Sequence, residues 1–265
     1  MLAAMLERVC RVGFLVVDDV VVTFGGVRAL DGASFAVEVS QICGLIGPNG
    51  AGKTSLFNVI SGLYRPDAGR VSLAGQDILA LPANGVARAG IARTFQNLGL
   101  FASQSVLENV MLGAYHRTRA GFLGGMLRLP AATREGRRIR DEALAILDLL
   151  GLGRYADHPA QGLPFGTLKR VELGRALAAH PRLLMLDEPA NGLTHGEVAE
   201  FGELILQLRE ELRLTVLLVE HHMGLVMGVS DTVVALNFGR KIAEGTPDEV
   251  RQNDDLIAAY LGTAA

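Results

Sequence analysis

The sequence predicts an α/β protein built on a sheet of buried strands alternating with helices. Three observations carry that expectation. Continuous apolar runs without alternation, at Ile42–Ile46, Leu183–Leu186 and Thr215–Val219, recur between segments of helical spacing. Strands of that kind are covered by helices on both faces. The octet Gly47-Pro48-Asn49-Gly50-Ala51-Gly52-Lys53-Thr54 fits the phosphate-loop pattern of glycine, four residues, then glycine-lysine-threonine. It stands between one of those strands and a helical segment beginning Ser55-Leu56-Phe57, the strand–loop–helix context that the pattern needs.

Length and composition set the frame. A chain of 265 residues suits one large domain, or one domain with a sizeable insertion. Hydrophobic residues make up 49%, charged residues 20%, and the formal charge is −3. That balance argues against disorder and against a basic, nucleic-acid-binding face. Glycine, at 32 residues, exceeds the average share of roughly 7% and suits a chain rich in phosphate loops and tight turns. The two cysteines, Cys10 and Cys43, make neither a disulfide framework nor a metal-spacing pattern, so a reducing compartment is expected, with Cys43 in the core. No apolar run approaches the roughly 18 residues of a membrane span. The first residues carry Glu7, Arg8 and Arg11, which makes a poor signal peptide, and a soluble protein is expected.

Taken in order, Phe14–Val17 and Val20–Phe24 read as strand interrupted by Asp18-Asp19, and Ala33–Val37 as a further strand. Phe24 can stack on an adenine or close a core at a strand end, and spacing alone does not choose. After the phosphate-loop helix come a turn over Tyr64–Gly69, a strand over Val71–Leu73, a turn at Gly75-Gln76 and a short helix over Ala83–Ala89. Ile91–Phe95 is a strand that delivers Gln96. Ser105, with Glu108 three positions on, caps a helix from Val106 to about His116. His116 to Pro130 mixes glycine, arginine and apolar residues. It reads as a surface loop in preference to a contact with a membrane-embedded partner. A helix from Arg134 to Leu150 has the apolar stripe Ile139, Ala143, Ile146, Leu147 and Leu150, ended by Gly151. Leu163–Thr167 precedes a helix from about Leu168 to His180. Further helices are expected from about Glu197 to Glu211 and from Pro247 to Leu261. Thr232–Leu236 is a strand, followed by a hairpin turn over Asn237–Arg240.

The chemistry concentrates at strand ends. In the loop, glycines let backbone amides turn inward around phosphates, and the following helix adds its positive end. Lys53 can reach the β- and γ-phosphates and the Thr54 hydroxyl can ligate Mg²⁺. Asp187-Glu188 closes a buried strand at the ligand edge of the sheet. An aspartate there can hold Mg²⁺ through water, and the adjacent glutamate can take a proton from attacking water. Gln96 can touch the metal or the water, a weak signal alone, and its neighbours Leu98, Leu100 and Phe101 are too apolar for a free loop. His221 follows a buried strand and reads either as a cap or core histidine or as a γ-phosphate contact. His222 leaves the register open.

In this order, Gly47–Thr54, Gln96, Leu163–Thr167, Leu186-Asp187-Glu188-Pro189 and His221 resemble the ATPase subunits of ATP-binding cassette transporters, over nearly the whole chain from about Val16 to Gly262. Arg93-Thr94-Phe95-Gln96-Asn97, Val219–Met223 with Leu225–Gly228, and Ala259–Gly262 resemble the branched-chain amino-acid uptake members, and the segment Tyr115–Arg138 their longer ATPase. The resemblance implies a P-loop NTPase with a RecA-like core, an N-terminal antiparallel β subdomain, an inserted helical subdomain over about 98–165 and a C-terminal hairpin and helix over 237–262. All lie in a single domain over 14–262. It implies an ATP site of Phe24, Gly47, Asn49, Gly50, Gly52, Lys53, Thr54 and Ser55, with Phe24 as adenine platform. Mg²⁺ falls to Thr54, Gln96 and, through water, Asp187. Glu188 is implied as general base, with His221 and Gln96 beside it in the reaction. Leu163, Gly166 and Thr167 belong to a signature loop that closes over ATP on an opposite subunit. Implied partners are transmembrane permease subunits, a second ATPase subunit, identical or different, and, indirectly, a solute-binding protein. The implied place is the cytoplasmic face of the membrane.

The chain departs from the family pattern leucine-serine-glycine-glycine-glutamine at Pro164, Phe165 and Thr167, and has Thr194 where an aspartate is usual. These departures bear on the composite site and not on ATP binding. An export ATPase for a lipid-linked substrate, a non-transport ATP-switched module and a small-molecule kinase are the competing readings.

Overall fold

The computed structural model describes residues 13–94, 98–118 and 130–261. Its N-terminal part is a four-stranded antiparallel sheet in the order β2-β1-β4-β5, with β1 at Leu15–Phe24, β2 at Val27–Val37, β4 at Ala68–Leu73 and β5 at Gln76–Asp77. Asp18-Asp19 does not end β1. It forms a bulge, with Asp19 at φ 50° and the register slipping between Val17 and Val20. The Asp19 amide donates to Ser34 Oγ at 2.8 Å, which anchors the irregularity to β2.

The second sheet has six strands in the order β10-β9-β3-β8-β7-β6. Here β3 is Ile42–Ile46, β6 Ile91–Arg93, β7 Leu183–Asp187, β8 Thr215–Val219, β9 Thr232–Asn237 and β10 Arg240–Gly245. Only the β9–β10 hairpin is antiparallel. The central strands look uniformly apolar because each face is buried against a different layer. Cys43, Leu45, Leu183, Met185, Leu217 and Val219 point into a core shared with the antiparallel sheet. Their neighbours Ile42, Leu184, Leu186, Val216 and Leu218 point into a second core built with helices.

Helix α1 (Lys53–Ile60) buries Leu56, Phe57, Val59 and Ile60 in the first core. Helix α2 is Ala83–Arg88. The second core is closed by α3 (Val106–Met111), α4 (Pro130–Leu149), α5 (Phe165–Leu177) and α6 (His195–Leu212). The Ser105–Glu108 capping box is formed at α3. This helix tightens into a 3-10 turn over Leu112–Arg117 instead of continuing to His116. At Gly113 a Cβ would run into the Arg175 carbonyl, so the chain is pressed against α5 there. Helix α4 starts at Pro130, four positions before Arg134, as proline's fixed φ permits in a first turn. The rest of the glycine- and arginine-rich segment, 119–129, lies outside the described residues.

Helix α7 (Met223–Val229) links β8 to β9. The closing helix is two, α8 (Pro247–Arg251) and α9 (Asp254–Leu261). Asn253 makes the break, because its side-chain oxygen accepts from the Leu256 amide at 3.1 Å and offers a new start.

One buried polar residue organises the entry to the helical layer. Asn109, with no exposed surface, accepts from the Phe101 amide at 2.8 Å. Its own amide donates to the Phe101 and Ser105 carbonyls at 3.0 and 2.9 Å. Asn109→Ala strands these groups in the interior and is expected to destabilise the protein by about 2 kcal/mol, read as a lowered urea midpoint.

Candidate active site

Strand β3 ends in the phosphate loop, and its neighbours dictate the glycines. Gly47 has φ 149°, and a Cβ there would collide with the Leu236 carbonyl of β9. Gly52 has φ 101°, and a Cβ would lie 2.5 Å from the Ala29 carbonyl of β2. The loop therefore passes where only backbone fits. Lys53 is buried and folds along the loop, its Nζ donating to the carbonyls of Gly47 at 2.6 Å and Pro48 at 3.1 Å. Burial pushes the ammonium below its ordinary pKa, while Glu188 and Asp187 pull it back up. Asn49, Gly50 and Thr54 face solvent, and Ser55 is half-buried.

The carboxylates arrive from β7, whose pairing with β8 sets Asp187 beside Val219. Asp187 is buried, and its Oδ2 meets Arg93 Nη2 at 2.6 Å. Arg93, from the end of β6, also donates to Asn58 Oδ1 at 2.7 Å and Ser61 Oγ at 3.2 Å, and lies 5.4 Å from the Phe57 ring centre. It thereby fastens α1 to the carboxylate strand. Asp187 Oδ1 is buried and has no hydrogen-bond partner among the described residues. That is the arrangement of a carboxylate with one oxygen held by the protein and the other kept for a ligand. Among the described residues no group of three or more His, Cys, Asp or Glu could hold a metal. A hard ion here would take its remaining ligands from phosphate and water, as Mg²⁺ prefers, so Asp187 and the Thr54 hydroxyl fit that metal.

Glu188 has a left-handed backbone, φ 49°, and its amide donates to the Val219 carbonyl at 2.8 Å. Its Oε1 lies 2.7 Å from His221 Nε2, within hydrogen-bond distance. Of the two histidines it is His221, half exposed at its side chain, that stands against Glu188. His222 begins α7 and its ring stands 6.5 Å from that of His195.

The remaining expected residues fall as follows. Phe24 is 47% exposed and meets Tyr64 edge-on at 5.2 Å, which removes the reading of a core aromatic. Gln96 lies outside the described residues. Gly166 and Thr167 are not in a loop ahead of a helix: α5 already begins at Phe165, with Pro164 before it. Pro164 holds an extended φ and ψ and sets the helix start three residues earlier than its apolar spacing suggests. A Cβ on Gly166 would come within 2.6 Å of Glu197 Oε1, and one on Gly192 within 2.8 Å of the Phe165 ring. Leu163 is half-buried and packs on the second core. Thr194 caps α6 in a capping box with Glu197.

Two residues with no expected role stand in the site. Arg93 carried a signal, as a charge at the end of an apolar strand. Tyr260 carried none. Its hydroxyl, brought by α9, accepts from the Gly47 amide at 3.1 Å.

Residues 30–191 match the family of ABC transporters, and residues 240–265 a family described as branched-chain amino acid ATP-binding cassette transporter. The chain belongs to the ATP-binding cassette transporter family. The cassette is 42% identical to the high-affinity branched-chain amino acid transport ATP-binding protein BraF of Pseudomonas aeruginosa, over 94% of this chain and 98% of that protein. It is 40% identical, with the same coverage, to the protein LivG of Escherichia coli, which carries the same description. A crystal structure of the ADP conformation of an ATP-binding cassette of an ABC transporter superposes with a TM-score of 0.82. That structure shows 31% identity over 94% of this chain and 98% of its own. Such structures fit the expected phosphate-loop NTPase architecture, in which an antiparallel sheet stands on a mixed, mainly parallel one.

The Arg93–Asp187 pair is buried on both sides, with side chains 8% and 3% exposed. Arg93→Met leaves the Asp187 charge uncompensated in the cassette, with an expected cost of about 3–5 kcal/mol, measured by denaturant unfolding.

Proposed function

We propose that this cassette is the ATP-hydrolysing subunit of an importer for branched-chain or other small amino acids and amides, working with permease subunits at the cytoplasmic face of the membrane. The observation that carries the catalytic part is the Glu188–His221 contact, beside Asp187 and the buried Lys53. The likeness to transport proteins over 94% of the chain supports the importer part. Nothing in the site favours phosphate transfer to a metabolite, and no observation favours an export system or a non-transport switch.

In this reading each residue has a role. The Gly47–Thr54 amides and Lys53 hold the phosphates of ATP, with Asn49, Gly50, Gly52 and Ser55 in the loop and helix start. Phe24, exposed and backed by Tyr64, offers a face to the adenine. Thr54, Asp187 and Gln96 would hold Mg²⁺, which when bound neutralises charge on the phosphate oxygens. With Oε1 engaged by His221, Glu188 presents its other oxygen to the attacking water and takes its proton. His221 keeps that carboxylate turned toward the γ-phosphate position. Leu163, Gly166 and Thr167 act on ATP held by a second cassette, so the working unit is a dimer. ATP favours the closed pair and ADP the open one, and that difference makes a cycle.

No helix among the described residues is long and apolar enough to cross a membrane, so the motion passes to permeases through surface contact. Phe101 is 54% exposed and Tyr115 65%. Tyr115 lines a cavity of about 470 Å³ with Met111, Leu112 and Ile139, and with Glu108 and Glu135 among its polar groups. This surface receives a permease segment.

Glu188→Gln is expected to keep ATP binding and lower phosphate release by about 100-fold or more; a variant that still turns over at the parental rate removes Glu188 as base. Phe101→Asp is expected to leave ATP affinity unchanged while amino-acid uptake by the reconstituted transporter falls. Unchanged uptake would move the docking face elsewhere.

A further inference from the structure

Behind Glu188 and His221 lies a second glutamate, Glu220, only 2% exposed. Its Oε1 accepts from the Ala190 amide at 2.6 Å. Its Oε2 accepts from the amides of His221 at 2.9 Å and His222 at 3.2 Å. Ala190 lies two positions after Glu188, in a turn where the Asn191 amide donates back to the Glu188 carbonyl at 3.2 Å. One buried carboxylate therefore ties the backbone that carries Glu188 to the backbone that carries His221.

The tie answers a need set by Glu188 itself. A left-handed backbone at a non-glycine residue is strained and persists only where its surroundings over-determine it. The Val219 carbonyl holds one side of Glu188, and Glu220 holds the other side through Ala190. Hydrogen bonds to an ionised acceptor are about twice as strong as neutral ones, and a carboxylate has oxygens enough for all these amides. A glutamine keeps the shape, but one arm becomes a donor facing donors.

We infer that Glu220 is a positioning residue for ATP hydrolysis, holding the Glu188–His221 pair in register by bracketing the turn at Ala190 and the start of the segment at His221. The inference rests on the reading of Glu188 as general base. It predicts a loss in turnover without a loss in nucleotide affinity, because none of the groups that Glu220 holds belongs to the phosphate loop.

The test is a mutant cycle on the full-length chain, with kcat and ATP Kd measured for the parent, Glu188→Gln, Glu220→Gln and the double variant. The expected result is a fall in kcat of about ten-fold or more for Glu220→Gln, with ATP Kd within about two-fold of the parent. In the Glu188→Gln background the same substitution should change the residual rate less than about two-fold. A parental kcat, an equal loss in both backgrounds, or a parallel loss of ATP affinity and melting temperature would overturn the positioning role. Should Glu220→Gln fail to fold, Glu220→Asp, which keeps the charge but shortens the reach, takes its place with the same criteria. Parental hydrolysis by Glu188→Gln alone would remove the base assignment and, with it, the positioning role of Glu220.

Discussion

The ion pair between Arg93 and Asp187 joins the ends of β6 and β7 at 2.6 Å, with both side chains buried. The guanidinium occupies one of the Asp187 oxygens and, through Asn58 and Ser61, ties the carboxylate to the helix that follows the phosphate loop. The spacing between the loop and the carboxylates is thus held by side chains as well as by strand pairing. Glu188 inherits its place from that spacing, since it is the next residue along.

Much of this could be read from the chain alone, for identifiable reasons. The loop and the Asp187-Glu188 pair were legible because their residue types and spacing are dictated by phosphate and metal chemistry. The buried strands were legible because both faces are covered, which leaves no polar alternation. What escaped was decided across long sequence distances. The bulge at Asp18-Asp19 depends on Ser34, the early start of α5 on Pro164 and its packing, and the break before α9 on one asparagine. Tyr260 could not be connected with Gly47 by any local rule, and Glu220 looked like one more acidic residue beside a histidine.

The departures at Phe165 and Thr194 acquire a local explanation. Phe165 lies against Gly192, where a side chain would not fit, and Thr194 starts α6 with a reciprocal pair of bonds to Glu197. Glu197 in turn closes on Gly166. The start of α5 and the turn after Glu188 are therefore packed as one piece within the chain, and a displacement of either is carried to the other by contact.

The bond from the Gly47 amide to the Tyr260 hydroxyl joins residues 213 positions apart. Strand β3 has a similar dependence, since it lies between β8 and β9, both made late in the chain. During synthesis the phosphate loop thus emerges early, attached to an apolar strand with neither neighbour yet available. The β1–β2 hairpin can form at once, whereas the phosphate loop gains these contacts only after β9 and Tyr260 have been made. A chain broken off between His221 and Thr232 would carry every expected motif and yet leave β3 without its partner β9.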